Sequence, residues 1–212
     1  MADDETPSEH RRGMGTSRLE AFSDGVFAIA ITLLVLEIGV PAGSSDDLLG
    51  AVADQWPSYL AYLISFSTIG AVWLAHSAIT DYLYRANLTL QRLNLLLLLV
   101  VAFLPFPTRL VAEYIREGDA ERVATTIYGL NLFLVSVLVS VVWRYAVHAK
   151  LLRPDADSEE IQVLTRRLTP GLAGYVVLIV LGLFAPTLAV LGYLLIAVYL
   201  IVPAWSLRAH RP

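Results

Sequence analysis

The chain has 212 residues, of which 57% are hydrophobic and 16% charged, with a mean hydropathy of +0.64 and a formal net charge of −4. Soluble domains carry nearer ~25% charged residues, so this composition excludes an ordinary water-soluble globule and points to a polytopic, all-α membrane protein. The absence of cysteine excludes a disulfide framework, a thiolate metal site and a cysteine nucleophile. The net charge says little about partners, because the charges are confined to loops and ends.

The first residues, MADDETPSEHRRGMGTSR, are polar and lack a cleavage site after an apolar stretch, so residues 1–17 are expected to be a disordered tail rather than a signal peptide. A spanning helix needs about 20 mostly apolar residues, and six stretches qualify: roughly 19–38, 57–79, 90–110, 123–147, 168–186 and 188–206. The first contains a carboxylate, Asp24, in its inner third. A charge there is expensive and needs a partner elsewhere in the fold. At ~100° per residue, Ile29, Thr32, Leu33 and Leu36 fall on one stripe, while Asp24 points roughly 140° away from Ile29.

Between the first and second spans, turn residues precede a short stretch, 46–55, suited to an interfacial helix. Trp56-Pro57 then supplies an interface anchor and a proline for the first helical turn. The third span is interrupted by Leu104-Pro105-Phe106-Pro107, because each proline removes a donor and crowds the preceding turn. The longest polar connection, 150–168, contains a start at Ser158 able to cap a short amphipathic helix. The fifth and sixth spans form a tight hairpin around Ala185-Pro186-Thr187, and residues 208–212 form a short tail. Residues 18–207 thus make one six-helix membrane domain.

With six spans, only Arg109, Arg116 and Arg122 of the fifteen Lys and Arg residues lie on one side of the membrane. That bias places both termini in the cytoplasm. The start of the first span, the end of the second and the start of the third then lie at one level. Arg18, Trp73, His76, Arg92 and Asn94 are all candidates to meet Asp24 there. Trp73 and His76 share a helix face. The cluster reads as structural glue, as a proton relay or pH sensor through His76, or, with too few ligands, as a metal site. Tyr62, Ser65, Ser67, Thr68, Asn131 and Ser136 suit interhelical hydrogen bonds. No HExxH, GxSxG, phosphate-binding glycine loop, TVGYG filter or arginine ladder occurs, so no enzyme is expected. No internal repeat is present. Periodicity alone favours helix–helix packing for the Ile29 stripe.

Arg18-x-x-x-Phe22-Ser23-Asp24-Gly25 resembles the signature of the transmembrane protein 175 family of lysosomal potassium channels and their prokaryotic homologues. So do Trp73-x-x-His76 and Asn94 with the following leucine run and Leu104-Pro105-Phe106-Pro107-Thr108. The resemblance implies a potassium-favouring cation channel: a homotetramer with six spans per subunit, the first helix lining a central pore. It places Ile29 at the hydrophobic constriction, Leu33 and Leu36 as further apolar rings, and Thr32 at a hydroxyl position linked to potassium selectivity. It makes Arg18, Phe22, Ser23, Asp24, Trp73, His76 and Asn94 a structural network holding the pore helix. The expected setting is the plasma membrane of a prokaryote. The expected partners are lipid, permeant potassium and further copies of the chain, with no cofactor, metal or nucleic acid. The alternative is a proton-coupled cation transporter or proton-permeable channel using Asp24 and His76.

Overall fold

The computed structural model describes residues 7–40, 43–168 and 171–208. Regular structure among them is helical, apart from one antiparallel bridge between Leu83 and Leu152. Helix α1, Pro7–Leu33, tightens into a 3-10 turn at Leu34–Glu37. It starts well before the expected span, inside the stretch expected to be a tail. Proline suits a first helical turn, and adding turns to a helix already nucleated costs little. Residues 1–6 of that tail lie outside the described residues.

Gly43, with φ of 91°, turns the chain into a position that glycine adopts without steric cost. The short interfacial helix α2, Leu48–Asp54, follows, capped by Asp47, whose carboxylate accepts from the Gly50 amide at 2.9 Å. Helix α3, Trp56–Tyr82, begins with the Trp-Pro pair. The Trp56 ring lies 4.8 Å beneath the Arg116 guanidinium, a cation–π contact at the helix start.

The third span is broken at the prolines without being ended. Helix α4, Leu88–Phe103, and helix α5, Pro105–Tyr114, meet at Leu104, which keeps helical dihedrals of −55° and −35°. The Thr108 amide still donates to the Leu104 carbonyl at 3.1 Å, so the two helices run on as one span, Leu88–Tyr114, longer than the expected 90–110. Helix α6, Asp119–His148, is the central element, packing against α3, α4 and α5. Helix α7, Ser158–Leu168, lies where the amphipathic helix was expected, but its cap is Asp157, whose side chain accepts from the Glu159 amide.

Helices α8, Gly171–Gly182, and α9, Pro186–Arg208, form the expected hairpin and pack on α6, with α9 also against α3. They approach so closely that a side chain at Gly192 would run into Leu178, and one at Gly129 on α6 into the Tyr193 hydroxyl. Four helices, Gly15–Glu37, Trp56–Tyr82, Leu88–Tyr114 and Asp119–His148, are long and apolar enough to cross a membrane. The two apolar stretches of the hairpin are shorter. Residues 169–170, part of the expected fifth span, and 209–212, most of the expected C-terminal tail, lie outside the described residues.

Candidate functional site

Helix α1 packs mainly against α3, α4 and its own 3-10 turn, at one edge of the bundle. Of its most apolar stretch 22% is buried, against 44–50% in the other three long helices. Its two faces are chemically distinct. Ser23, Phe27, Ala30 and Leu34 are buried against the bundle. Ile29, Leu33 and Leu36 are 61%, 41% and 73% exposed, with Thr32 exposed among them. Thr32 turns its hydroxyl back onto the Ala28 and Ile29 carbonyls, at 3.0 and 2.9 Å.

The inner part of α1 is fastened by polar side chains. Trp73 donates its indole N–H to Asp24 Oδ1 at 2.9 Å. Beside it runs a buried chain of hydrogen bonds. His76 Nε2 meets Asn94 Oδ1 at 2.8 Å, Asn94 Nδ2 donates to Ser23 Oγ at 2.9 Å, and Ser23 Oγ donates to the Leu19 carbonyl at 2.8 Å. Because a carboxamide oxygen only accepts, this arrangement assigns the proton to His76 Nε2. The His76 ring packs against Phe27, with centroids 5.4 Å apart. Ser23, His76 and Asn94 are almost fully buried, so α1, α3 and α4 are joined where water cannot compete for their hydrogen bonds.

The structure thus brings Ser23, Asp24, Trp73, His76 and Asn94 together, as two adjoining pairs rather than one continuous relay: Asp24 is bonded to Trp73, and His76 to Asn94. Arg18 and Arg92 are exposed, and no salt bridge joins either to Asp24. Phe22 is 56% exposed. It lies seven residues before Ile29, which places it on the same face as the stripe rather than in the network.

Two features escape sequence reasoning. At the far end of α1, Arg109 lies 3.9 Å from Glu37 and 2.8 Å from Glu113, beside a cavity of about 540 Å³ between the 3-10 turn, the start of α3 and the end of α5. Only tertiary packing brings Glu37 and Arg109 together. Deeper in the bundle, Ser65 bonds both Thr108 at 2.7 Å and Tyr128 at 2.9 Å, tying α3, α5 and α6 beside the proline break. Ser65 was visible as a hydrogen-bonding residue, but nothing in the sequence pairs it with Thr108. Asn131, expected to bridge helices, donates to the Val100 carbonyl at 3.2 Å, and Thr68 donates to the Ile64 carbonyl of its own helix at 2.8 Å while also meeting Tyr128 of α6.

The family described as endosomal/lysosomal potassium channel TMEM175 matches residues 18–105, from the first arginine of the motif to the proline break. A protein named potassium channel B446_29190, of Streptomyces collinus, is 39% identical over 186 residues, covering 87% of this chain and 90% of that protein. Potassium channel Cha6605_3372, of Chamaesiphon minutus, is 41% identical over 190 residues, covering 87% and 92%. The crystal structure described as a lysosomal potassium-selective channel TMEM175 homolog from Chamaesiphon minutus superposes with a TM-score of 0.81 at 36% identity, over 89% of this chain and 97% of that one. Sequence and fold agree along nearly the whole length of both chains, and this chain belongs to the TMEM175 family.

Proposed function

We propose that this protein is a potassium-favouring cation channel: four copies surround an axis lined by α1, and ions pass down their gradient through a hydrophobic constriction. The observation that carries this reading is the division of α1. One face is fastened to α3 and α4 by a polar network in which Ser23, His76 and Asn94 are buried, and the other presents Ile29, Thr32, Leu33 and Leu36 uncovered. An apolar stripe facing only lipid gains nothing from such positioning. A stripe that must meet its symmetry copies at a fixed radius depends on it.

Rings of Ile29, Leu33 and Leu36 gate by dewetting and force an ion to shed water. Potassium holds its hydration shell less tightly than sodium, so a narrow apolar ring favours potassium. Four Thr32 hydroxyls supply a few replacement oxygens, which makes the selectivity modest. Asp24 takes no part in coordinating ions, since it is committed to Trp73 on the bundle side. The proton-coupled alternative needs Asp24 and His76 in one relay, and each is bonded to a different partner.

The reading extends to six membrane crossings per subunit, with α8 and α9 as the last two, and to residues 18–207 as the channel domain. Both termini face the cytoplasm in the plasma membrane of a prokaryote. The chain is not an enzyme. Flux through purified protein in liposomes tests it. A reversal potential near the potassium equilibrium value supports the channel, while saturable, pH-driven flux supports the transporter. No flux from either the parent or Ile29→Ala overturns both.

A further inference from the structure

The end of the bundle where α3 and α6 stop and α4 starts carries cations, on two loops held together by their backbones, that the pore reading does not use. The loops 83–87 and 149–157 are paired by backbone. The Tyr84 amide donates to the Leu151 carbonyl at 2.9 Å, and the Arg153 amide to the Tyr82 carbonyl at 2.9 Å. The second loop is locked to the end of α6, where the Leu151 amide donates to the Ala146 carbonyl at 3.0 Å and the Lys150 amide to Val147 at 3.1 Å. This is the closing pattern that normally places glycine at the left-handed position. Here that position is Lys150, with φ of 52°, the only non-glycine residue of positive φ among the described residues. A lysine held in a conformation that favours glycine directs attention to its side chain.

Lys150, Arg85 and Arg153 are all exposed, and none has an ion-pair partner among the described residues. The acids on the same stretch, Asp81, Asp155 and Asp157, are exposed and unpaired with them; Asp157 caps α7, and Glu160 of α7 accepts from the Tyr82 hydroxyl at 2.8 Å. The paired loops directly follow the spans that end at Tyr82 and His148 and precede the one that starts at Leu88, which puts them at headgroup depth. On the helices that leave these loops, Leu88 of α4 and Val141 of α6 are 61% and 38% exposed, and the two helices pack together and are bridged by Asn87 Nδ2 donating to the Tyr145 hydroxyl at 2.9 Å. Cations at headgroup depth above an apolar wall match an anionic lipid, phosphate on the cations and acyl chain on the wall. A soluble anion has no use for the wall.

The geometry points to a binding site for an anionic phospholipid headgroup on the paired loops, with Arg85, Lys150 and Arg153 as its cations. Each such cation strengthens attachment about fivefold. The test takes the full-length protein, stripped of lipid in detergent, and adds phosphatidylglycerol, phosphatidylcholine or inorganic phosphate. Retained lipid is counted by native mass spectrometry, and thermal stability is followed in parallel. Phosphatidylglycerol is expected to be retained in preference to phosphatidylcholine, with inorganic phosphate giving no stabilisation. Lys150→Gly is expected to fold at least as well as the parent, since it relieves the left-handed position, yet to hold phosphatidylglycerol about fivefold more weakly. Arg85→Gln with Arg153→Gln weakens it further, and Arg85→Lys with Arg153→Lys keeps it. Equal retention of the two lipids, equal stabilisation by phosphate alone, or unchanged retention by Lys150→Gly overturns the assignment.

Discussion

Replacing Asn94 with leucine, close in size but apolar, cuts the buried chain at its centre. Asn94 is 1% exposed and makes two side-chain hydrogen bonds, to His76 at 2.8 Å and to Ser23 at 2.9 Å. Ser23 keeps its bond to the Leu19 carbonyl, so the main damage falls on His76, whose Nε2–H is left buried without an acceptor. In water-soluble proteins an orphaned buried donor costs ~1–3 kcal/mol. Within a bilayer the unfolded reference also finds partners, and measured couplings average about 0.6 kcal/mol with a maximum near 1.7. Asn94→Leu is therefore expected to destabilise the subunit by about 1–2 kcal/mol. His76→Phe alone leaves the Asn94 oxygen orphaned and costs a similar amount. The double variant removes both members of the pair and should cost less than the sum, by about 0.6–1.7 kcal/mol. The assay is equilibrium unfolding of the four proteins in one detergent, with flux in liposomes recorded alongside. Single effects that simply add, to within ~0.3–0.5 kcal/mol, would refute the network as the fastening of α1.

Ile29→Ala and Ile29→Asn are each expected to raise flux, by widening and by wetting the constriction; unchanged currents in both would show that the narrowest point lies elsewhere. Asp24→Asn removes the charge that accepts from Trp73 and is expected to loosen assembly more than it alters selectivity; a well-assembled oligomer with inverted selectivity would contradict this. Gly129→Ala sets a methyl group against the Tyr193 hydroxyl, which has no hydrogen-bond partner of its own. It is expected to cost about 1–3 kcal/mol by overpacking, part of it recovered in Gly129→Ala with Tyr193→Phe, since the Tyr193 ring and Ile179 still crowd the new methyl group; no recovery would mean that the hydroxyl is not what the methyl group meets.

Much of the architecture is legible because a bilayer restricts what a chain can do. Spanning segments satisfy their backbone internally, and helices are the economical solution, so apolar length alone locates the first four spans. The proline break, the Trp-Pro start of α3 and the amphipathic α7 follow from residues whose backbone limits are local. Asp24 announced a partner on another helix because a carboxylate at that depth is costly, and the equal depth of three span ends narrowed the choice to a few side chains. Local chemistry could not decide between them. That Trp73 takes Asp24 while His76 takes Asn94 depends on the relative rotation of α1, α3 and α4. That rotation is set by Phe27, Ala30 and Leu34 packing into the bundle. The same packing leaves Phe22 with the exposed stripe, although its place in the motif grouped it with the network. The meeting of Arg109 with Glu37, the bond from Ser65 to Thr108 and the backbone pairing of Tyr84 with Leu151 and of Tyr82 with Arg153 across two loops join residues far apart in the chain, and no period or motif records such distances. Sequence by itself determined which segments are helices and which faces are apolar, because those depend on neighbours within a turn or two. The tertiary structure alone decided which polar groups meet and which stripe is left uncovered, because those depend on how close-packed helices interlock.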